Sequence, residues 1–311
     1  MIDYSSQIGE QMKELIRRWF TAKPLLQVAM SYAEAKLEES TKFGHLTIIH
    51  YRMFGGDQDS IFHVAAAVEL FVLASDILDD IQDGDASDKV WMKSPAPIAI
   101  HTATSLLTLS QQAMLEATSL HDGRSSMSLA SMMSKQLLQA ANGQMLDLVN
   151  ELNSEEDYLD MVQQKSASLL VLACMTGVMF AGRAWHPLVA EYAEQIGMAA
   201  QIKNDIRDLQ RWDEKSDFLN RKKNLLTLFL VESVKEEDSW ITQYFEGNLT
   251  RTDVVDRHQQ FEEACKRTGA NLYGSVVSRV HYNRFEELLR ELEASEYWKE
   301  KLLLLLTQEI A

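Results

Sequence analysis

Apolar side chains recur along this chain at intervals of three and four residues, and nowhere do they alternate long enough to line one face of a strand. That rhythm predicts helices over 6–20, 24–39, 45–54, 59–82, 97–118, 125–150, 155–181, 187–212, 221–233, 237–245, 252–267 and 275–307. Local punctuation agrees at several joints. Gly55-Gly56-Asp57 interrupts the pattern before the fourth helix, and Ser154 followed by Asp157 is a weak form of the capping box. Pro187 stands where the first turn of a helix tolerates its missing N–H. Only 4 prolines occur in 311 residues, as expected of a chain made largely of helix interiors, where the ring would collide with the preceding turn. No Pro-, Gly- or Ser-rich linker divides the chain and no internal repeat stands out, so one all-α domain over 1–311 is the expected architecture.

Ser168 to Ala181 is apolar on nearly every face and is predicted to run through the middle of the bundle. Leu302 to Leu306 near the end reads as core, with a dimer contact or a lipid-touching surface as the alternatives. The longest apolar run, Leu169 to Ala181, falls short of the ~20 residues a membrane-spanning helix needs. The start of the chain lacks the charged-then-apolar pattern of a secretory signal, so a cytoplasmic protein, peripheral to a membrane at most, is expected. Cys174 and Cys265 have no CxxC or Cys/His spacing around them, which leaves neither a disulfide framework nor a zinc site. The net charge of −16 argues against nucleic acid as a partner, because phosphate backbones attract basic surfaces. A polyanion can still bind locally if cations invert the sign of its site.

Two segments invite that possibility. Asp76, Asp79, Asp80 and Asp83 follow the i, i+3, i+4, i+7 spacing that places side chains on one helix face. Gln201, Asn204, Asp205 and Asp208 repeat the spacing on a later helix. Like charges so arranged cost an isolated helix a few tenths of a kcal/mol per pair, about 0.2–0.5, so solvent or cations must offset them. A solvated acidic face is the simplest account of one such cluster. Here both continue from apolar stretches, Val64 to Ala74 and Ala193 to Ile202, and so extend from buried helices. Magnesium takes oxygen ligands and commonly joins one or two carboxylates to substrate phosphates. Two facing carboxylate clusters above an apolar interior suit a hydrophobic diphosphate.

At these residues the chain resembles the trans-isoprenyl diphosphate synthases, and within them the ComQ-type pheromone-modifying prenyltransferases of bacilli. Ala65-Ala66-Ala67-Val68-Glu69-Leu70 leading into Asp79-Asp80-Ile81-Gln82-Asp83 resembles the first aspartate-rich helix of that family. Gly143-Gln144-Met145-Leu146-Asp147 is similar to its Gly-Gln-x-x-Asp helix, and Lys165-Ser166-Ala167, preceded by Tyr158, to its Lys-Thr-Ala segment. Gln201 to Asp208 resembles the second aspartate-rich motif with Asn204 in place of one Asp, and Asp217-Phe218 with Lys222-Lys223-Asn224-Leu225 its lysine region. The likeness covers roughly 40–230, and its weight lies in the order of five weak motifs.

The resemblance implies the isoprenoid synthase bundle, with a central cavity capped by metal. It implies three Mg²⁺ ions with diphosphate bound: two held by Asp79 and Asp83 with Asp80 in support, and a third by Asp205, Asn204 and Asp208. Lys165 and Lys222 would touch the diphosphate, so Asp79, Asp83, Asp205 and Lys165 form the expected catalytic set. Lys42, Gln144 and Gln201 would border the substrate, with Gln144 and Asp147 in packing or supporting positions. Phe71, Ala74 and Ser75 would line the prenyl pocket, the small pair leaving room for a farnesyl as well as a geranyl chain. Asp76 is additional to the motif and is read as a structural carboxylate, an outer ligand or a base. Lys203 and Arg207 lie on another arc and are expected at the surface.

Two departures change the expected chemistry. The isopentenyl diphosphate site of the family needs Gly-Gly-Lys-Arg-x-Arg-Pro, whereas Ser40-Thr41-Lys42-Phe43-Gly44-His45-Leu46 keeps the lysine alone. Its Arg-Arg-Gly is replaced by Asp88-Lys89-Val90. Arginine forks hold phosphate bidentately, so their loss implies that a different acceptor replaces the second diphosphate. The ComQ-type likeness implies a tryptophan of a pheromone precursor peptide used in quorum sensing and competence, and a homodimer. Chain elongation with isopentenyl diphosphate, terpene cyclisation and a non-catalytic regulatory subunit are the alternatives. Cyclisation fits poorly because Asp208 and Trp212 stand where its Ser and Glu ligands belong.

Overall fold

The computed structural model describes residues 3–84, 86–119 and 126–310. The described residues form α-helices and no strand: α1 Ser5–Trp19, α2 Lys23–Glu39, α3 Lys42–Met53, α4 Ile61–Asp83, α5 Ala96–Ser119, α6 Ser126–Val149, α7 Glu155–Val162 and α8 Ser168–Phe180. Then come α9 Pro187–Leu209, α10 Leu225–Ser233, α11 Ser239–Phe245, α12 Arg251–Val254, α13 His258–Thr268, α14 Ala270–Glu291 and α15 Glu296–Ile310. The all-helical expectation holds, and the cap and first-turn readings hold with it. Ser154 accepts the Asp157 N–H at 3.1 Å and Pro187 opens α9.

Four boundaries need correction. The segment predicted over 275–307 is two helices, because Leu292 turns to an extended conformation and is itself buried. That turn lets α14 bury Phe285, Leu288 and Leu289 while α15 buries Leu302, Leu305 and Leu306, and no Gly or Pro marks it. The segment over 252–267 breaks at Val255–Arg257, where the Trp212 indole N–H takes the Val255 carbonyl at 2.6 Å. Residues 221–224 are not helical. Asn224 caps α10 by accepting the Leu226 and Thr227 N–H groups at 3.0 and 2.9 Å, so Lys222 lies in the preceding loop. The fourth correction is a π-helical turn, Gln163–Ala167, between α7 and α8.

The core explains why α8 is apolar all round: every residue but Leu169 is buried. It packs along α3, and Gly177 makes that contact possible, since a Cβ there would stand 2.2 Å from the Thr47 carbonyl oxygen. Thr47 donates its hydroxyl to the Ala173 carbonyl at 3.0 Å across the same seam. α4 runs against α5 and α3, and α9 against α14 and α8. α4 is long and apolar enough to cross a membrane by length and composition alone, although Glu69 interrupts its apolar run. However, 72% of its apolar window is buried against the rest of the protein. Cys174 and Cys265 are free and buried.

An ionisable imidazole lies wholly inside this core. His50 meets the Leu46 carbonyl at 2.7 Å through Nδ1 and the Tyr192 hydroxyl at 2.5 Å through Nε2, and burial lowers it to about 4. An imidazole that cannot charge in the folded state opposes folding once the unfolded chain takes up a proton. The fold should therefore lose up to about 3 kcal/mol through His50 as pH falls from about 6.5 to about 4. His50→Gln, followed by urea unfolding across that range, should remove this part of the acid slope; an identical slope in the variant would show that His50 does not carry it.

Candidate active site

Both acidic clusters sit in the last turns of their helices. α4 ends at Asp83 because Gly84 takes a left-handed conformation, φ 71°, and returns its N–H to the Asp80 carbonyl. α9 ends at Leu209, one residue past Asp208. A helix carries partial negative charge at its C-terminal end, so both clusters add carboxylates where the backbone is already electronegative. Cations must answer them, and three lysines from other elements do.

Lys165 places Nζ 3.0 Å from Asp79 Oδ1 and 2.6 Å from Asp147 Oδ2. Lys222 reaches the same Asp147 Oδ2 at 3.2 Å and Asp83 Oδ2 at 3.7 Å. Asp147 thus ties both ammonium groups to the first cluster, the supporting one of the two roles expected of it. Burial would raise its carboxyl, but Lys222 and Lys165 together hold it below the usual carboxylate range. Burial lowers the lysines in principle, yet the carboxylates raise both, Lys222 far above its ordinary value. Lys36 supplies the third cation: its Nζ, nearly all buried, lies 2.8 Å from Asp76 Oδ2. That pairing engages one oxygen of Asp76, whose side chain stays partly exposed.

Asp80 accepts the Trp91 indole N–H at 2.7 Å, and burial pushes it up to about 6. Asp83 is likewise raised by burial despite Lys222. On α9, Asp205 is buried; it accepts the Tyr158 hydroxyl at 2.6 Å and the Gln201 amide at 2.8 Å, while Gln201 accepts the Ser166 hydroxyl at 2.9 Å. Asp217, in the loop after α9, bonds Asn224 at 2.7 Å, and burial raises both it and Asp205.

The sequence-predicted residues therefore divide. Asp79, Asp83, Lys165 and Lys222 converge, and Gln201 and Asp205 join through Ser166 and Tyr158. Asn204 is exposed on α9, and Arg207 is exposed beside a partly covered Asp208. Gln144 is half-buried and donates to Gln82 at 2.9 Å. Phe71 and Ala74 are wholly buried, and Ser75 gives its hydroxyl to the Phe71 carbonyl at 3.1 Å. Lys42 opens α3, and burial lowers it to about 8. Trp91 and Lys36 escaped the sequence reading, since each meets its carboxylate through tertiary packing. An open cleft of about 710 Å³ between α7, α9 and α14, bordered by Glu155, Asp160, Glu194 and His281, shares none of the carboxylates or lysines above.

The described residues contain no group of three or more His, Cys, Asp or Glu placed to hold a metal ion. The donors nonetheless suit a hard cation. They are carboxylate oxygens, and those of Asp79 and Asp83 remain partly accessible.

The cluster is assembled by a close helix contact. A Cβ on Gly143 would lie 2.2 Å from the Lys165 backbone nitrogen, and one on Gly197 would lie 2.6 Å from the Ala167 Cα. The π turn is thus gripped between α6 and α9, and inserted turns of this kind gather at functional sites because they re-aim side chains. Lys165 points to Asp147 only at this separation.

A helical bundle that closes two acidic helix ends around lysines defines the isoprenoid synthase fold. Among solved structures, the polyprenyl synthase of Caulobacter crescentus, complexed with calcium and isoprenyl diphosphate, superposes with a TM-score of 0.81 over 98% of this chain and 93% of its own, at 20% identity. In sequence, the chain is 29% identical to the tryptophan prenyltransferase ComQ of Bacillus subtilis subsp. natto, over 98% of this chain and 93% of that one. It is 27% identical to the ComQ of Bacillus spizizenii, over 90% of this chain and 98% of that one. The polyprenyl synthetase family profile matches residues 44–261, and the chain belongs to that family. It is a prenyltransferase.

Gly143→Ala tests the assembly of the site. The added methyl must displace the π turn, so stability should fall by about 1–3 kcal/mol and prenyl transfer by tenfold or more. Unaltered melting and turnover would mean that the turn yields freely and its position does not matter.

Proposed function

We propose that this prenyltransferase moves a geranyl or farnesyl group from its diphosphate to a tryptophan side chain of a precursor peptide, with magnesium as cofactor. One contrast carries the reading: the lysines of the donor cluster converge, whereas the arginines that would hold a second diphosphate are replaced. Lys89, where the family has arginine, pairs with Glu39 at 2.5 Å. The first turn of α3, which holds the remnant of the isopentenyl site, gives its Gly44 N–H to buried Glu69 at 2.6 Å. The arginine forks of that site are absent, and only Lys42 remains of its cations. The ComQ relatives, named for tryptophan, support the acceptor.

Asp79, Asp83 and Asp80 on α4, with Asp208 and the exposed Asn204 amide on α9, would hold magnesium, which supplies Lewis-acid neutralisation of the departing diphosphate. Asp205, turned inward to Tyr158 and Gln201, would support that set more than ligate. As the C1–O bond breaks, its electron pair goes to the diphosphate, and Lys165 and Lys222 donate hydrogen bonds to the growing charge. Asp147 keeps both ammonium groups in register and charged. The indole π electrons form the new carbon–carbon bond, and the indole surrenders a proton.

Purified chain, magnesium and either geranyl or farnesyl diphosphate, offered a tryptophan-bearing peptide or isopentenyl diphosphate, tests this by mass. The peptide should gain one prenyl unit with no elongated diphosphate, and chelation or Asp79→Asn should cost at least about a hundredfold in rate. Elongation with the peptide left untouched would overturn the reading.

We also propose a homodimer. Leu138, Met145, Leu146, Leu148 and Val149 leave α6 with exposed apolar side chains, which a second copy could cover. Sedimentation should show a dimer at micromolar concentration, and a monomer there would remove the proposal.

A further inference from the structure

Two non-glycine residues among the described ones have positive φ, Asn150 at 55° and Arg221 at 53°. They lie far apart in sequence and are bonded to each other. Asn150, the residue after α6, donates its side-chain amide to the Arg221 carbonyl at 3.0 Å and accepts the Lys223 N–H on Oδ1 at 2.7 Å. Between those two backbone groups stands Lys222.

The remaining backbone groups of that lysine are also held. Its N–H donates to the Asp217 carbonyl at 2.8 Å, and its carbonyl accepts the Thr227 hydroxyl at 2.8 Å. Both peptide units flanking Lys222 are thus hydrogen-bonded at each end, and the Asn150 side chain supplies two of the four bonds. The left-handed conformation is poorly suited to arginine and better tolerated by asparagine. Arg221 is kept in it by the Asn150 amide, by its own bond to the Leu249 carbonyl and by the Tyr244 ring, 4.3 Å from its Cζ. Such a conformation persists only where its surroundings over-determine it, and such places gather at functional sites.

The end of α6 therefore grips Lys222 twice, at its tip through Asp147 and at its base through Asn150. We infer that Asn150 is a positioning residue for the leaving-group site: it fixes the loop so that the Lys222 ammonium is set to meet diphosphate. The inference rests on the proposed function in placing diphosphate at Lys222. The plainer account is that Asn150 only ends α6, as a residue at ease in the left-handed conformation. Glycine would serve that purpose equally well, which makes the two accounts separable.

The probe is inorganic diphosphate with magnesium, titrated calorimetrically into wild type, Lys222→Ala, Asn150→Gly and the double variant, with thermal melts alongside. Lys222→Ala should weaken binding about tenfold, the loss of one charge-assisted contact. Asn150→Gly should weaken it about three- to tenfold while melting near wild type, and should cost nothing further in the Lys222→Ala background. Wild-type affinity in Asn150→Gly beside a weakened Lys222→Ala would overturn the inference and leave the proposed function standing. So would an equal further loss in the double variant. If wild type does not bind diphosphate, or Lys222→Ala binds as tightly as wild type, the diphosphate reading falls and this inference falls with it. Should Asn150→Gly fail to fold, Asn150→Asp decides. It keeps the acceptor for the Lys223 N–H and loses the donor to Arg221, so weakened binding is again expected and undiminished binding overturns the inference.

Discussion

The structure depends on negative charge gathered at two helix ends. α4 and α9 finish in carboxylates where their own carbonyls already point outward, so helix dipole and side chains repel the same sign of charge. Burial makes this costlier, as the raised carboxyls of Asp80, Asp83 and Asp205 record. Removing one partner of a buried ion pair typically costs about 3–5 kcal/mol, so the lysines cannot wander. Lys36, Lys165 and Lys222 come from a helix, a π turn and a loop, and each meets its carboxylate within 2.6–3.2 Å.

Those lysines are in place because backbones come close. Gly143 and Gly197 admit the π turn between α6 and α9, and the extra residue in that turn aims Lys165 at Asp79 and Asp147. Asp147 then serves two lysines at once and keeps both charged. On the proposed function this matters, because donors whose charge and place are set before charge develops work without reorganising during reaction.

The same comparison sharpens the acceptor side. Where a second diphosphate would need arginine, Lys89 is committed to Glu39 and Gly44 to Glu69, while Trp91 gives its N–H to Asp80. Of these groups, Trp91 alone bonds directly to the first acidic cluster. The loss of arginines, visible as missing letters, is in the fold a reassignment of neighbouring groups.

Helical period, the two acidic faces and the order of the motifs were legible from the chain alone, because each depends on residues within two turns of one another. The bounds of α4 and α9 were nearly right for that reason, and the central place of α8 followed from its want of a polar face. The break at Leu292 was not legible: the turn is set by what α14 and α15 bury and not by any Gly or Pro. Asp147 could be read only as packing or supporting and Asn150 as nothing in particular, since their partners lie across the bundle, at Lys165, Lys222 and the backbone beside it. The sequence by itself thus determined which groups carry charge and on which helix face. Only the tertiary structure decided which cation answers which carboxylate, because that pairing depends on how closely distant helices pack.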